Sequence, residues 1–373
     1  MNRRTWWLGV VFAAVAIVGS GCARSSYSAL VSEDQVADLA ELKQATLQHP
    51  NHTTVVPTQG EHGPTAGVAI HQIESPGHDT ILVFIHGIMA DHSAWRFLVG
   101  DLARDYDLWL VDLPGCGDSD KPDPDIVGPD GYSPLAMASR VLDALDDRLA
   151  ARGGDPSVVI VAHSLGGAIT LRMFGDESLR SRHGATLEHV ERVVLLSPLD
   201  VAVNQQHPMI AELARADSLQ ISIGAATGVV QERIAAATLN SVSQADRALR
   251  EEADKRVMMV TDPKTRRPLQ AMVKQAVAWK HGRPDWEANE RIVATYSMID
   301  VPCLIIWGER DEILPCSMGY KLAAQLPRAN LVCLPQVMHS PHIERPGLTA
   351  GLVREYVKTG KAPAPPAHTG THR

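Results

Sequence analysis

The chain is 373 residues long, with 45% hydrophobic residues, 21% charged residues and a formal net charge of −8. This composition excludes wholesale disorder and a polytopic membrane protein, and the length admits one large α/β domain with an insertion or two average domains. The modest acidic excess, without clustered Lys and Arg, excludes nucleic acid as a partner, because neutralising phosphates needs a basic surface.

In chain order, Arg3 and Arg4 precede an apolar run from Trp6 to Val18, which leads into Gly19-Ser20-Gly21-Cys22. The run falls short of the roughly 18 apolar residues that span a bilayer, so residues 1–21 read as a cleaved secretory signal. Small residues running into a cysteine resemble a bacterial lipoprotein signal, with Gly19 where Leu or a similar residue is usual. That resemblance implies cleavage before Cys22, lipidation of Cys22, and attachment of an exported protein to a membrane of the cell envelope. An ordinary cleaved signal with an incidental Cys22, or a weak twin-arginine signal on Arg3-Arg4, is the alternative. Cys116, Cys303, Cys316 and Cys333 remain, and an oxidising compartment would permit pairing among them in three complete ways. No close Cys-x-x-Cys pair with accompanying histidines occurs, so no metal site is expected.

Residues 22–60 are polar and hold one expected helix, where Ser32 and Gln35 have capping-box spacing ahead of Val36, Leu39 and Leu42; the segment reads as a tether or docking arm. Gly60, Gly63 and Pro64 mark the expected entrance to the folded domain. Short, nearly continuous apolar runs then predict strands at Ile81–Ile85, Leu108–Val111, Val158–Val161, Val193–Leu196, Cys303–Trp307 and Leu331–Leu334. Helical spacing predicts helices at Trp95–Ala103, Leu135–Leu149, Ala168–Phe174, Met318–Leu326 and Leu348–Val357. Such alternation implies a doubly wound, mostly parallel α/β sheet, with core parts at 61–200 and 300–358. Residues 201–299 break the rhythm with helical segments and no clear strand; Met209–Leu219, Gln231–Leu239, Ala245–Val257 and Pro268–Trp279 predict a helical cap over the strand ends. Its apolar residues read first as packing. The Pro- and Ala-rich tail, 359–373, has little to bury and is expected to be disordered.

The chemistry concentrates at Ser164, which stands between the strand run Val158–Val161 and a helix opening at Gly166-Gly167. A serine hydroxyl is a weak nucleophile, so acyl transfer needs a base to take its proton and donors to hold the oxyanion. Strand, turn serine and helix form the context of a nucleophile elbow, whose small neighbours here are Ala162 and Gly166.

These residues resemble the α/β-hydrolase superfamily, particularly its capped esterase-like and lipase-like members, over about Ile70–Val357. The likeness rests on Ala162-His163-Ser164-Leu165-Gly166, on Ile85-His86-Gly87-Ile88, on the Asp112-to-Ser119 loop, and on two downstream loops, Gly308–Asp311 and Met338–Pro346. It implies Ser164, Asp311 and His339 as triad in the family's order, with the backbone N–H groups of Ile88 and Leu165 as oxyanion hole. Ala162 replaces the usual Gly, and Val337-Met338 lacks the Gly often found before the histidine. His342 competes with His339, Met89 with Ile88, and Glu309, Glu312 and Asp200 with Asp311. His86 and His163 read as turn-shaping residues.

The resemblance implies hydrolysis of a carboxylic ester in a small molecule through an acyl-enzyme, with no metal or organic cofactor. Thioester or lactone cleavage, acyl transfer and carbon–carbon bond hydrolysis use the same triad. A non-catalytic envelope lipoprotein that keeps the fold for binding is the reading from a different class.

Overall fold

The computed structural model describes residues 52–59, 65–74, 77–200, 215–239, 247–280 and 283–362. The signal, Cys22, the helix expected near Ser32, the first part of the helix expected at Met209–Leu219, and nearly all of the tail lie outside them. Among the described residues no helix is long and apolar enough to cross a membrane.

Eight strands form one sheet: β1 (His52–Thr58), β2 (Ala66–Ile73), β3 (Thr80–Ile85), β4 (Asp107–Val111), β5 (Ser157–His163), β6 (Val190–Leu196), β9 (Cys303–Gly308) and β10 (Ala329–Leu334). The two-residue strands β7 (Trp279–Lys280) and β8 (Arg283–Pro284) pair separately. The order across the large sheet is β1-β2-β4-β3-β5-β6-β9-β10. From β4 to β10 every neighbour pair is parallel, whereas β2 is antiparallel to both β4 and β1. All six expected strands are present. Two more precede them, and β1 begins at His52, so the end of the expected tether is instead the edge of the sheet.

The central strands carry apolar residues on both faces because both faces are covered. Ile81, Val83 and Ile85 belong to one hydrophobic cluster and Leu82 and Phe84 to the other. The second cluster is filled by α1 (Arg96–Leu102) through Leu98 and Leu102, and by the C-terminal helix, Pro346–Thr359, through Val353 and Tyr356. Against the first cluster pack α2 (Pro134–Arg152), with Val141 and Leu145, and α3 (Leu165–Gly175), with Ile169 and Met173.

Between β6 and β9 the described residues are mainly helical: α4 (Ser218–Ala226), α5 (Val229–Leu239), α6 (Arg247–Thr261), α7 (Pro263–Gln275) and α8 (Trp286–Ala294). Helix α7 runs through Pro268 rather than starting there. Its start is set by Asp262, whose side chain accepts the Lys264 N–H, and by Pro263 at the first position, where no N–H is needed. Leu269 and Met272 of α7 join the first core cluster. A Cβ on Gly115, after β4, would lie 2.7 Å from Met272 and 2.8 Å from Pro268, so only glycine lets that loop reach the helix. Charged pairs fasten the same region to the core: Glu252 to Arg96 at 2.6 Å, Lys255 to Asp91 at 2.5 Å, and Arg267 to Asp125 at 2.7 Å.

Of the cysteines, Cys116 and Cys303 are buried and unpaired, while the thiols of Cys316 and Cys333 lie 2.9 Å apart.

Candidate active site

Helices α9 (Ser317–Gln325) and α10 (Pro346–Thr359) complete the frame around the loops at the C-terminal ends of β3, β5, β9 and β10. Those loops hold Ile88, Ser164, Asp311 and His339, with Leu165 opening the helix after the second; the Asp112-to-Ser119 loop follows β4. Ser164 sits between β5 and α3 with φ 49° and ψ −115°, a strained conformation for a residue with a side chain. Its N–H donates to the Leu196 carbonyl at 3.1 Å, and its carbonyl accepts from Gly167 N–H at 2.9 Å and Leu199 N–H at 2.8 Å. The strain is therefore held from both sides. A Cβ on Gly166 would stand 2.2 Å from the Ile85 carbonyl oxygen, so the position two residues after Ser164 admits only glycine. Ala162, two residues before, lies inside β5 opposite Ile85 and Leu195, where a methyl fits in the buried sheet.

Gly87 brings the turn after β3 onto the elbow, since a Cβ there would be 2.9 Å from His163 Nδ1 and 3.0 Å from Ser164 Cβ. Ile88 follows Gly87, and Met89 takes a left-handed φ of 57°. Leu165 is the first residue of α3, so its N–H has no intrahelical acceptor. His86 fixes the base of the turn: its Nδ1 donates to the Gly87 carbonyl at 2.8 Å, and its Nε2 accepts from Leu113 N–H at 3.0 Å.

His339 and Asp311 meet. His339 Nδ1 donates to Asp311 Oδ2 at 2.8 Å, and both residues are buried. The other carboxylate oxygen accepts the N–H groups of Ile313 at 2.9 Å and Leu314 at 2.8 Å, which fixes the acid's orientation. With Nδ1 so engaged, Nε2 is the imidazole nitrogen left to accept a proton. His163 Nε2 donates to the His339 carbonyl at 2.9 Å, tying the residue beside Ser164 to the backbone of His339.

No glycine precedes His339 because the room comes from elsewhere. A Cβ on Gly308 would meet the Met338 carbonyl oxygen at 1.9 Å, so glycine at the end of β9 lets the histidine loop lie across the acid loop. Gln336, at φ 61°, makes the left-handed turn. Glu344 lies in the Met338–Pro346 motif without having been singled out there. Its carboxylate accepts the Met338 N–H at 3.0 Å and the Ser340 N–H at 3.2 Å, bracketing His339 from both sides.

The rivals stand elsewhere. Glu309 and Glu312 are exposed. Asp200 is buried and accepts the Tyr296 hydroxyl at 2.7 Å. His342 is enclosed between Trp95 and His163, with ring centroids at 4.7 and 4.5 Å. Burial, with the charges of His339, Arg96 and Arg256, pushes its pKa down to about 3. Burial does the same to His163, with help from His342 and His339, so both rings are neutral near pH 7.

Beneath the turn after β3 lies a group that no sequence spacing announced. Asp112 Oδ1 accepts the His92 N–H at 2.6 Å, and Oδ2 accepts from Asp118 N–H at 2.8 Å and from His71 Nε2 at 2.9 Å. The His92 ring stacks on His71, with centroids 3.6 Å apart, and its Nδ1 is 3.0 Å from Asp112 Oδ2. Burial works to raise the Asp112 pKa, but hydrogen bonds from both imidazoles and the His92 charge overcome it and hold the carboxyl far below its usual range. Among the described residues these three are the group whose ligand atoms, all within 4.8 Å, have the composition to hold a metal ion. Their existing hydrogen bonds already make them a clamp behind the turn.

A mostly parallel sheet with a strained serine elbow on its middle strand, and an acid and a histidine on the last two strand loops, defines an α/β-type hydrolase. The Alpha/beta hydrolase family matches residues 82–352, and the chain belongs to that family. It is 26% identical over 288 residues to the uncharacterized hydrolase YugF of Bacillus subtilis, covering 76% of this chain and 92% of that one. It is also 26% identical over 296 residues to the pimeloyl-[acyl-carrier protein] methyl ester esterase of Chromobacterium violaceum, covering 77% and 98%. Among solved structures it resembles 2-hydroxy-6-oxo-6-phenylhexa-2,4-dienoate hydrolase of a Rhodococcus strain. There the TM-score is 0.61 with 19% identity, covering 83% of this chain and all of that one, a likeness of fold.

Proposed function

We propose that this hydrolase is a serine esterase that cleaves carboxylic esters of small molecules through an acyl-enzyme. The observation that carries the reading is the His339–Asp311 pair at 2.8 Å, docked on the strained Ser164 elbow through the His163-to-His339 hydrogen bond. Ser164 Oγ attacks the ester carbonyl while His339 Nε2 takes its proton, and Asp311 steadies the imidazolium. The backbone N–H groups of Ile88 and Leu165 receive the oxyanion, and the alkoxide leaves with the proton from His339. Water, activated by the same histidine, then frees the acid. Ester cleavage is preferred over the other reactions of this triad because one relative covering nearly the whole domain is named a methyl ester esterase. We extend the proposal to an envelope location, with Cys22 lipidated and the catalytic domain tethered to a membrane.

The test is a panel of p-nitrophenyl esters, thioesters and lactones run on the chain from residue 23 onward. Oxygen esters should be the best substrates, with a burst of p-nitrophenol equal to the enzyme concentration when deacylation is slow. Thioesters or lactones turning over faster by tenfold would overturn the substrate class. For the anchor, labelling with a fatty-acid analogue should vanish in Cys22→Ser; persistence would refute it.

A further inference from the structure

A cavity of about 870 Å³ lies between α2, α3, α7 and α8. It adjoins the nucleophile without including it. Two of its lining residues, Ala168 and Leu199, hydrogen-bond through their N–H groups to the Ser164 carbonyl, at 3.4 and 2.8 Å. Ala168 and Arg172 follow Ser164 at four-residue steps along α3, so they share its face and descend the cavity wall. At the rise of an α-helix Arg172 stands about 12 Å along the axis from Ser164, the length of a medium acyl chain.

Much of the lining is apolar, with Leu135, Ala168, Leu199, Val277 and Ile292 in it. In two of the lining residues a polar atom is buried without a hydrogen-bond partner among the described residues: Ser139 Oγ, in a residue 2% exposed, and Arg172 Nη1. Asp176 stands 3.7 Å from Arg172 Nη2, a distance that leaves Nη1 uncommitted. Arg140 and Lys274 also line the cavity, against a single carboxylate, the exposed Asp130, among the described lining residues. Arg140 donates to the Thr58 carbonyl at 3.0 Å. Folded proteins rarely leave a buried guanidinium donor and a hydroxyl unpaired, because each has given up water for nothing. In a cavity such donors are open to a ligand.

We propose that this cavity is the acyl subsite and that it takes a straight apolar acyl chain ending in a carboxylate, so that the preferred substrates are half-esters of dicarboxylic acids. Arg172 Nη1 and Ser139 Oγ receive the distal carboxylate, whereas the ester carbonyl lies at Ser164. Cation excess around an apolar channel selects for the anion, and the buried Nη1 of Arg172 discriminates most against a chain that ends in methyl, which leaves that donor unpaired. This assignment rests on the serine-esterase reading.

The experiment compares monomethyl esters of dicarboxylic acids with methyl esters of monocarboxylic acids of equal chain length. Wild type should favour the half-ester by at least tenfold in kcat/KM, carried by KM, with an optimum at a medium chain. Arg172→Gln should collapse that ratio towards one, Arg172→Lys should restore part of it, and Ser139→Ala should reduce it by a few fold. In wild type the free dicarboxylic acids should inhibit competitively at concentrations at least tenfold below the monocarboxylic acids, which tests the site even if a variant misfolds. Equal kcat/KM for the two ester types, or equal inhibition by the two acids, overturns the carboxylate subsite and leaves the esterase reading standing. Absence of turnover on all these esters and on p-nitrophenyl acetate overturns the esterase reading itself.

Discussion

The strand-end loops and the cavity beside them are built on opposite rules. In the loops the groups that hold His339 and Asp311 are committed: Asp311 accepts from His339 and two backbone N–H groups, Glu344 brackets His339, and Gly87, Gly166 and Gly308 sit where any Cβ would collide. In the cavity Ser139 Oγ and Arg172 Nη1 are buried without a partner among the described residues. The contrast separates what is fixed before a substrate arrives from what waits for one. Pre-set polar geometry serves the chemical step, and uncommitted donors serve selection.

Breaking the committed side should have the largest effects. Ser164→Ala and His339→Ala are each expected to lower kcat by several powers of ten while the thermal melting curve stays close to that of wild type. Asp311→Asn should cost roughly three to four powers of ten in kcat, because the amide cannot hold the imidazole in its productive tautomer. Asp200→Asn, at a carboxylate that accepts the Tyr296 hydroxyl, should stay within a few fold, because His339 Nδ1 donates to Asp311. A collapse at Asp200 with a mild Asp311→Asn would move the acid to the earlier strand loop.

A subtler break is Glu344→Ala, which strands the N–H groups of Met338 and Ser340. It should destabilise by about 1–3 kcal/mol per buried donor left unpaired, read by urea denaturation, with kcat falling about tenfold as His339 loses its frame. Unchanged kinetics would mean that the loop holds itself.

The neutral histidines sharpen the comparison through pH. His342 and His163 have folded pKa values below the ordinary value of about 6.5, so the unfolded chain binds protons more readily. Each adds stability that is complete above about pH 6.5 and is lost as pH falls towards the folded values, near 3 for His342. The melting temperature should therefore decline on acidification through that window, and His342→Phe should flatten the decline. A melting temperature that rises between pH 6.5 and pH 4 would contradict the burial of these rings.

The smallest effect on turnover concerns Cys316 and Cys333, whose thiols are 2.9 Å apart at the rim of the acid loop. Diamide, which takes up the two hydrogens, should link this pair and leave Cys116 and Cys303 reduced, as peptide mapping will read. A cross-link at any other pair would contradict the geometry.

The core of this fold is legible because its strands are buried on both faces and so read as unbroken apolar runs. The two antiparallel strands that precede them are not. In β1 exposed residues alternate with buried ones and Pro57 interrupts, while His71 and Gln72 make β2 look polar although both are buried. Pro268 looked like a helix start, and the Asp262-Pro263 pair that begins α7 lies five residues earlier. The triad candidates were readable because each sits in a short local motif. The Asp112 clamp was not, since hydrogen bonds made by folding leave no fixed spacing: His71 and Asp112 are 41 residues apart. Glu344 lies within the histidine-loop motif, but its spacing there does not tell that its carboxylate turns back onto the Met338 and Ser340 N–H groups. The cavity was hidden for the same reason, because Ser139 and Arg172 sit in helices whose pattern speaks only of packing.

The central claim is that Ser164 is an activated nucleophile. Incubation with a fluorophosphonate probe, followed by peptide mass spectrometry, tests it most directly. One equivalent of probe on Ser164, lost in both Ser164→Ala and His339→Ala, is the predicted result. A folded protein that takes up no probe, or takes it up on another residue with Ser164 unmodified, would contradict it.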